Sequence, residues 1–298
     1  MALSDSLRGA ALMTVAMVAF TINDTFMKAA TAEVPVFEAI VLRGALTTAA
    51  LLIMSLRMGG LQLQVARGDR LWIGLRTFGE VAGTFTFLLA LKHMPLANLS
   101  AILQFLPLAV TLTAALLLGE RVGWRRLTAI GVGFVGVMLI VRPGTEGFDR
   151  WSILGLLSVA CVVMRDLATR RISSGMSSVT VAFLAGLSVT AGAGLMLPFT
   201  DVAPVSALRA AQLAGAAGFL IVGYLTVVMA MRVGDVAVIA PFRYASLVAA
   251  IILGWLVFGQ WPDGWTLLGS AIVVATGIYT FSRERRIGRQ RLQPTEVG

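Results

Sequence analysis

The chain alternates long apolar stretches with short connections that carry most of its charge, glycine and proline. A membrane-crossing helix needs about 20 mostly apolar residues, because each residue rises about 1.5 Å through a hydrocarbon core about 30 Å thick. That ruler predicts ten spans, at 8–30, 35–56, 71–92, 95–118, 124–142, 151–170, 178–199, 208–231, 236–258 and 264–282. Stretches such as Ala109–Leu118 are apolar on every side, which excludes the alternating strands of a membrane β-barrel. The expected fold class is an all-α membrane protein.

Composition agrees. Of 298 residues, 58% are apolar and 13% charged, too apolar for a soluble domain and opposite to a disordered chain. Asn23, Asp24 and Lys28 stand where a signal-peptide cleavage site would be sought, so the first apolar stretch reads as a retained helix. The net charge of +9 invites a nucleic-acid reading, but the basic residues are dispersed. Fifteen fall on connections of one face: Arg8, Arg57, Arg67, Arg70, Arg121, Arg125, Arg126, Arg170, Arg171, Arg232, Arg283, Arg285, Arg286, Arg289 and Arg291. The other face holds five: Lys28, Lys92, Arg142, Arg150 and Arg209. Positive connections stay inside the cell, which predicts that both termini are cytoplasmic and that the lipid bilayer, not nucleic acid, is the large partner.

A shift of 140 residues aligns the chain with itself. Gly83 meets Gly223, Thr86 meets Thr226, Ala97 meets Ala237, and Gly119 meets Gly259. With one inserted residue, Trp124 meets Trp265 and Gly136 meets Gly277. The chain therefore divides into a five-helix unit at 1–142, a linker at 143–150, a second unit at 151–282 and a basic tail at 283–298. An odd number of crossings forces the second unit to enter from the opposite face. Inverted repeats of this kind are a transporter architecture, with the substrate site near the midplane between the halves.

Several stretches carry a family likeness: Asp24 and Lys28, Glu38 and Arg43, Arg76, Met94–Ala97, Pro107, Leu116–Leu127 (LLLGERVGWRRL) and Gly133–Gly144 (GFVGVMLIVRPG). On these the chain resembles the EamA-type ten-helix members of the drug/metabolite transporter superfamily. The resemblance implies an inner-membrane secondary transporter of bacteria that exports amino acids, aromatic ones foremost, and related metabolites. It also implies alternating access around a cavity walled by spans one, three, four, six, eight and nine. A multidrug or toxic-amphiphile exporter is the alternative, and a solute channel a further one. The second unit departs from the pattern, with Gln260 opposite Glu120 and Leu247 opposite Pro107.

Charge inside a span is costly, about 2.5–3.5 kcal/mol on insertion scales, so it marks function or a locking pair. Asp24 and Arg43 share a depth in spans one and two and are expected to pair. Arg76 and Glu80 are four apart on one helical face, and Arg165, Asp166 and Arg243 lie nearer the cytoplasmic side. Arg43, Arg76, Arg165, Asp166 and Arg243 are read as structural ion pairs. Asp24, Glu80, Gln104, Tyr224 and Tyr244 are the substrate-binding candidates; Gln104 sits on a polar stripe with Ser100, Pro107 and Thr111. Phe20, Phe78, Phe87 and Phe242 offer apolar wall, and Pro107 and Pro241 interrupt spans four and nine as candidate hinges.

No cofactor or metal is expected. The chain has one Cys161 and one His93, and no HExxH, GxSxG or phosphate-binding loop, so no enzyme machinery is visible. Gly131-Val132-Gly133-Phe134-Val135-Gly136 spells a dinucleotide-binding glycine pattern but lies within a span, where small residues serve close helix packing. The remaining partner is a small-molecule substrate; the oligomeric state stays open, a monomer being sufficient.

Overall fold

A computed structural model of the chain describes residues 3–57, 67–119, 122–143, 149–172, 178–233 and 239–292. The central residues of the expected linker (144–148), Glu120, Arg121 and the last six residues of the basic tail lie outside the described residues, as does the start of span nine. Among the described residues, eleven α-helices follow in chain order. They are α1 (Leu3–Ala30), α2 (Val36–Arg57), α3 (Arg70–His93), α4 (Leu96–Leu103), α5 (Leu106–Leu118) and α6 (Trp124–Val141). After these come α7 (Trp151–Arg171), α8 (Ser178–Met196), α9 (Ala207–Val233), α10 (Ala245–Phe258) and α11 (Gly264–Leu292). Among the described residues there is no strand.

Nine stretches of the described residues are long and apolar enough to cross a membrane, α4 and α5 together making one of them. The helix left out is α3, which has the length at 24 residues but carries Arg76 and Glu80 in its middle. Those two charges neutralise each other across 3.7 Å at helical spacing. Outside the bundle, Leu7, Phe78, Leu116, Trp255 and Leu256 stand exposed, as expected of a surface solvated by lipid tails.

Span four is not one helix. Pro107 lacks an N–H, so the carbonyl of Leu103 loses its helical donor. The chain tightens instead: the amides of Gln104 and Phe105 donate to Ala101 and Ile102 at 3.2 and 3.1 Å, and the helix restarts at Leu106. Span nine behaves alike around Pro241, where Ala240–Tyr244 is a 3-10 turn before α10. Both interrupted helices end on a left-handed glycine, Gly119 at φ 68° and Gly259 at φ 65°, a conformation that a Cβ would strain.

The main helix packings are α1 with α9, α3 with α7, α2 with α8, and α6 with α11. In lipid these contacts rest on close approach, since burying apolar surface gains nothing over the lipid tails. At the α6–α11 crossing, a Cβ on Gly136 would lie 2.9 Å from the carbonyl oxygen of Gly269. A Cβ on Gly269 would lie 2.5 Å from the carbonyl of Gly136, so both positions need hydrogen. The glycine-rich run of α6 is a packing surface.

Candidate functional site

A central cavity of about 430 Å³ lies within the bundle. Its walls come from α1, α2, α3, α7, α8 and α9, with Leu103 from α4 and Arg243 from the 3-10 turn. The volume falls in the range of small-molecule sites. Among the substrate-binding candidates, Asp24, Glu80 and Tyr224 line it. Asp24 comes from the second half of α1, where Asn23 donates to its Oδ1 at 2.8 Å. Arg43 of α2 donates to Asn23 Oδ1 at 3.3 Å. The expected Asp24–Arg43 pair is therefore relayed through Asn23, a residue whose amide serves both partners and which the sequence reading passed over.

Across the cavity, Glu80 faces Arg165 of α7, Oε1 to Nη1 3.4 Å, and keeps Arg76 at 3.7 Å on its own helix. Arg165 is held a second time by its neighbour Asp166, whose Oδ1 accepts from Nε at 2.9 Å and lies 2.8 Å from Nη2 as an ion pair. Tyr224 of α9 lines the same cavity as Glu80, Arg165 and Arg43. Its ring meets Phe20 edge-on, centroids 5.6 Å apart. Phe20 and Phe87 supply apolar wall, whereas Phe78 and Phe242 are exposed away from the cavity. Thr47 of α2 with Gly186 and Thr190 of α8 complete the lining, a contribution from two helices not expected to wall the cavity.

Two candidates stand elsewhere. Gln104 is buried outside the cavity lining, and its Nε2 donates to Ser246 Oγ at 2.7 Å, joining the two interrupted spans. Tyr244 packs its buried hydroxyl against Gly277 of α11, without a hydrogen-bond partner among the described residues. Pro107 and Pro241 border a second cavity or its turn, not the central one. Arg243 makes no ion pair among the described residues, unlike the structural pair expected of it.

The two ends of the bundle differ. At the end carrying Lys28, several cross-links join the helices. Lys28 Nζ caps α3 by donating to the carbonyls of Leu91 at 2.7 Å and Met94 at 2.6 Å. Arg209 of α9 grips Glu33, with Nε to Oε2 at 2.9 Å, and Glu38 accepts the amide of Ala203 at 3.1 Å. His93 stacks on Trp151 at 3.8 Å, and Arg142 pairs with Asp263. Partial burial pulls the Asp263 carboxyl upward, but hydrogen bonds from Arg142 and from the Thr266 amide outweigh it and hold it below the usual 3.8. Toward the other end, that of Arg126, lies a second cavity of about 630 Å³.

The EamA-like transporter family model matches this chain twice, over residues 7–142 and 149–282. The chain belongs to the EamA-like transporter family. It is a multi-pass membrane transporter of the drug/metabolite transporter superfamily. A riboflavin transporter of Vibrio cholerae is 31% identical over 221 residues, 74% of each chain. A pseudopaline exporter of Pseudomonas aeruginosa is 26% identical over 275 residues, 91% of this chain and 94% of that one. A crystal structure 22% identical in sequence superposes with a TM-score of 0.59, over 93% of this chain and 98% of the other, which supports the fold.

Proposed function

We propose that the protein is a ten-span secondary carrier of the bacterial inner membrane that exports amphiphilic metabolites, aromatic amino acids foremost, by alternating access. The observation carrying this reading is the composition of the central cavity. Asp24 and Glu80 suit an ammonium group, Arg43 and Arg165 a carboxylate, and Phe20, Phe87 and Tyr224 an aromatic body. Such a mixture of a few placed polar groups in an apolar wall is what holds a small ligand in one orientation.

The helix pairings support two inverted halves, with units at 1–142 and 151–282. A two-fold axis relating the halves exchanges α1 with α7 and α3 with α9, so the α1–α9 and α3–α7 packings become equivalent. It maps α2 onto α8 and α6 onto α11, and these pairs also pack together. The double family match and the shared glycine ends at Gly119 and Gly259 have the same sense. With both termini in the cytoplasm, the cross-linked Lys28 end faces outward and the second cavity lies toward the cytoplasmic side.

A second reading is uptake of a neutral aromatic solute, favoured by the likeness to the riboflavin transporter and by the aromatic wall. One experiment separates the readings: purified protein in liposomes, offered aromatic amino acids, riboflavin and amphiphilic drugs. The proposal expects saturable flux of tryptophan or phenylalanine with counter-exchange. Flux of riboflavin without amino acids selects the second reading. Linear flux without counter-exchange identifies a channel and overturns both.

A further inference from the structure

The central cavity and the second cavity share two lining residues, Val227 and Arg243. Arg243 is enclosed in the bundle yet counts among the exposed residues, because its side chain projects into both hollows. We propose that Arg243 is the carboxylate-binding residue of the transport path, taking an anionic amphiphile from the second cavity and presenting it to the central one. The inference rests on the carrier reading above and narrows its substrates to molecules bearing a carboxylate.

Charge argues for it. Four guanidiniums lie within the spans, from Arg43, Arg76, Arg165 and Arg243, against three carboxylates of the same network, Asp24, Glu80 and Asp166. Arg76 has Glu80, Arg165 has Glu80 and Asp166, and Arg43 has Asn23 with Asp24 behind it. Arg243 has no hydrogen bond or ion pair from its guanidinium among the described residues. Asp166 lies within electrostatic reach of it, but the Oδ1 of that carboxylate already accepts a hydrogen bond from Arg165 Nε at 2.9 Å and pairs with its Nη2 at 2.8 Å. Charge at membrane depth normally faces a water-filled cavity, and there the exposed Arg243 guanidinium can exchange water for a substrate carboxylate as counter-charge.

The second cavity suits the delivery of an anion. Among the described residues its lining includes Arg243 and Asp166, with Arg126 and Arg170 toward its mouth. Arg243 is also held in place from behind: its carbonyl accepts Ser246 Oγ at 3.0 Å, and Ser246 in turn accepts Gln104 at 2.7 Å and Thr21 at 3.3 Å. Hydrogen bonds from α1 and α4 thus fix the turn that carries the guanidinium. Beyond it the Tyr224–Phe20 pair receives the apolar body of the ligand.

The test uses purified protein in phosphatidylcholine liposomes, which offer no anionic headgroup, loaded for counterflow of labelled tryptophan. Competitors are indole-3-propionate, which keeps the carboxylate and lacks the amine, tryptophanamide, which lacks the carboxylate, and riboflavin. In the wild type, indole-3-propionate competes and tryptophanamide competes at least about tenfold more weakly, the factor expected of one charge-assisted hydrogen bond. R243Q raises the half-saturating tryptophan concentration at least about tenfold and abolishes the acid–amide difference, and R243K restores most of both. The inference is overturned if R243Q keeps affinity and discrimination, or if the wild type takes amide as readily as acid. The wild-type comparison decides even where R243Q fails to fold. Saturable flux of riboflavin or tryptophanamide with none of either acid overturns this inference and leaves the carrier reading standing. Absence of saturable flux for every compound overturns the carrier reading, and this one with it.

Discussion

Gln104 Nε2 donates to Ser246 Oγ across 2.7 Å, linking the break in one interrupted span to the first turn of α10 after the other. Two helices weakened by proline are thereby coupled at their weak points. Q104L removes the donor at nearly constant volume and leaves Ser246 its bond to Arg243. Interhelical hydrogen bonds in membranes contribute about 0.6 kcal/mol on average, so the melting temperature in detergent is expected to fall only slightly. Turnover in liposomes is expected to fall several-fold, because the turn carrying Arg243 loses its anchor. A variant with normal turnover refutes the coupling.

Tyr224 presents two separable features, a ring against Phe20 and a hydroxyl on a residue that shares the cavity lining with Glu80, Arg165 and Arg43. Y224F keeps the ring contact, worth about 0.5–1.5 kcal/mol beyond burial for an aromatic pair, and deletes only the hydroxyl. Substrate half-saturation is expected to rise by less than about tenfold in Y224F and further in Y224A. Equal effects from both variants place the whole contribution in the hydroxyl.

Much of the fold was legible because a membrane permits few solutions. Backbone groups must be paired internally, so every long apolar stretch had to be a helix, and positions 8–30 or 124–142 needed only counting. Asp24, Arg43, Glu80 and Arg165 were legible for the same reason, charge at depth being conspicuous. Asn23 and Ser246 were not, because a polar residue on a span carries no mark of which helix faces it. Gln104 lies outside the lining of the central cavity, a placement that helical spacing could not give because it locates a face but not what the face meets. The contributions of Thr47, Gly186 and Thr190 depended on α2 approaching α8 closely, a tertiary fact absent from either helix alone.

Asp263 accepts from Arg142 and from the Thr266 amide at the start of α11, and its carboxyl sits below the usual 3.8. A carboxyl lowered in the folded state stabilises it above the unfolded pKa and stops doing so as pH falls through the folded value. The pair is half exposed on the acidic side, at 51% for Asp263, so its contribution is at most about 1 kcal/mol. D263N keeps a good helix cap and deletes the charge. At pH 7 its melting temperature is expected to lie slightly below that of the wild type, and the gap to narrow progressively as pH falls below the usual 3.8. A gap that does not narrow on acidification assigns the effect to packing.

Gly136 and Gly269 bring α6 and α11 together backbone to backbone. A side chain at Gly136 meets the Gly269 carbonyl, which cannot swing aside as a flexible side chain would. G136A is expected to cost about 1–3 kcal/mol, the usual range for overpacking, and G136L to prevent folding. Gly131, whose Cβ would meet nothing within 4 Å, is the control: G131A is expected to leave stability unchanged or raise it slightly. Equal losses from G131A and G136A contradict the close crossing and leave only helix propensity.

Pro107 leaves the Leu103 carbonyl without its helical donor, and Pro241 occupies the corresponding turn before α10. P107A restores an N–H within reach of that carbonyl and allows α4 and α5 to fuse into one straight helix. Fusion strengthens the span while removing the point at which it bends. The expected signature is therefore opposite in sign for two measurements: a higher melting temperature in detergent and a lower turnover in liposomes. P241A is expected to behave likewise, and the double variant to lose turnover further. If both single variants transport at the wild-type rate, the interruptions shape the resting bundle and take no part in alternating access.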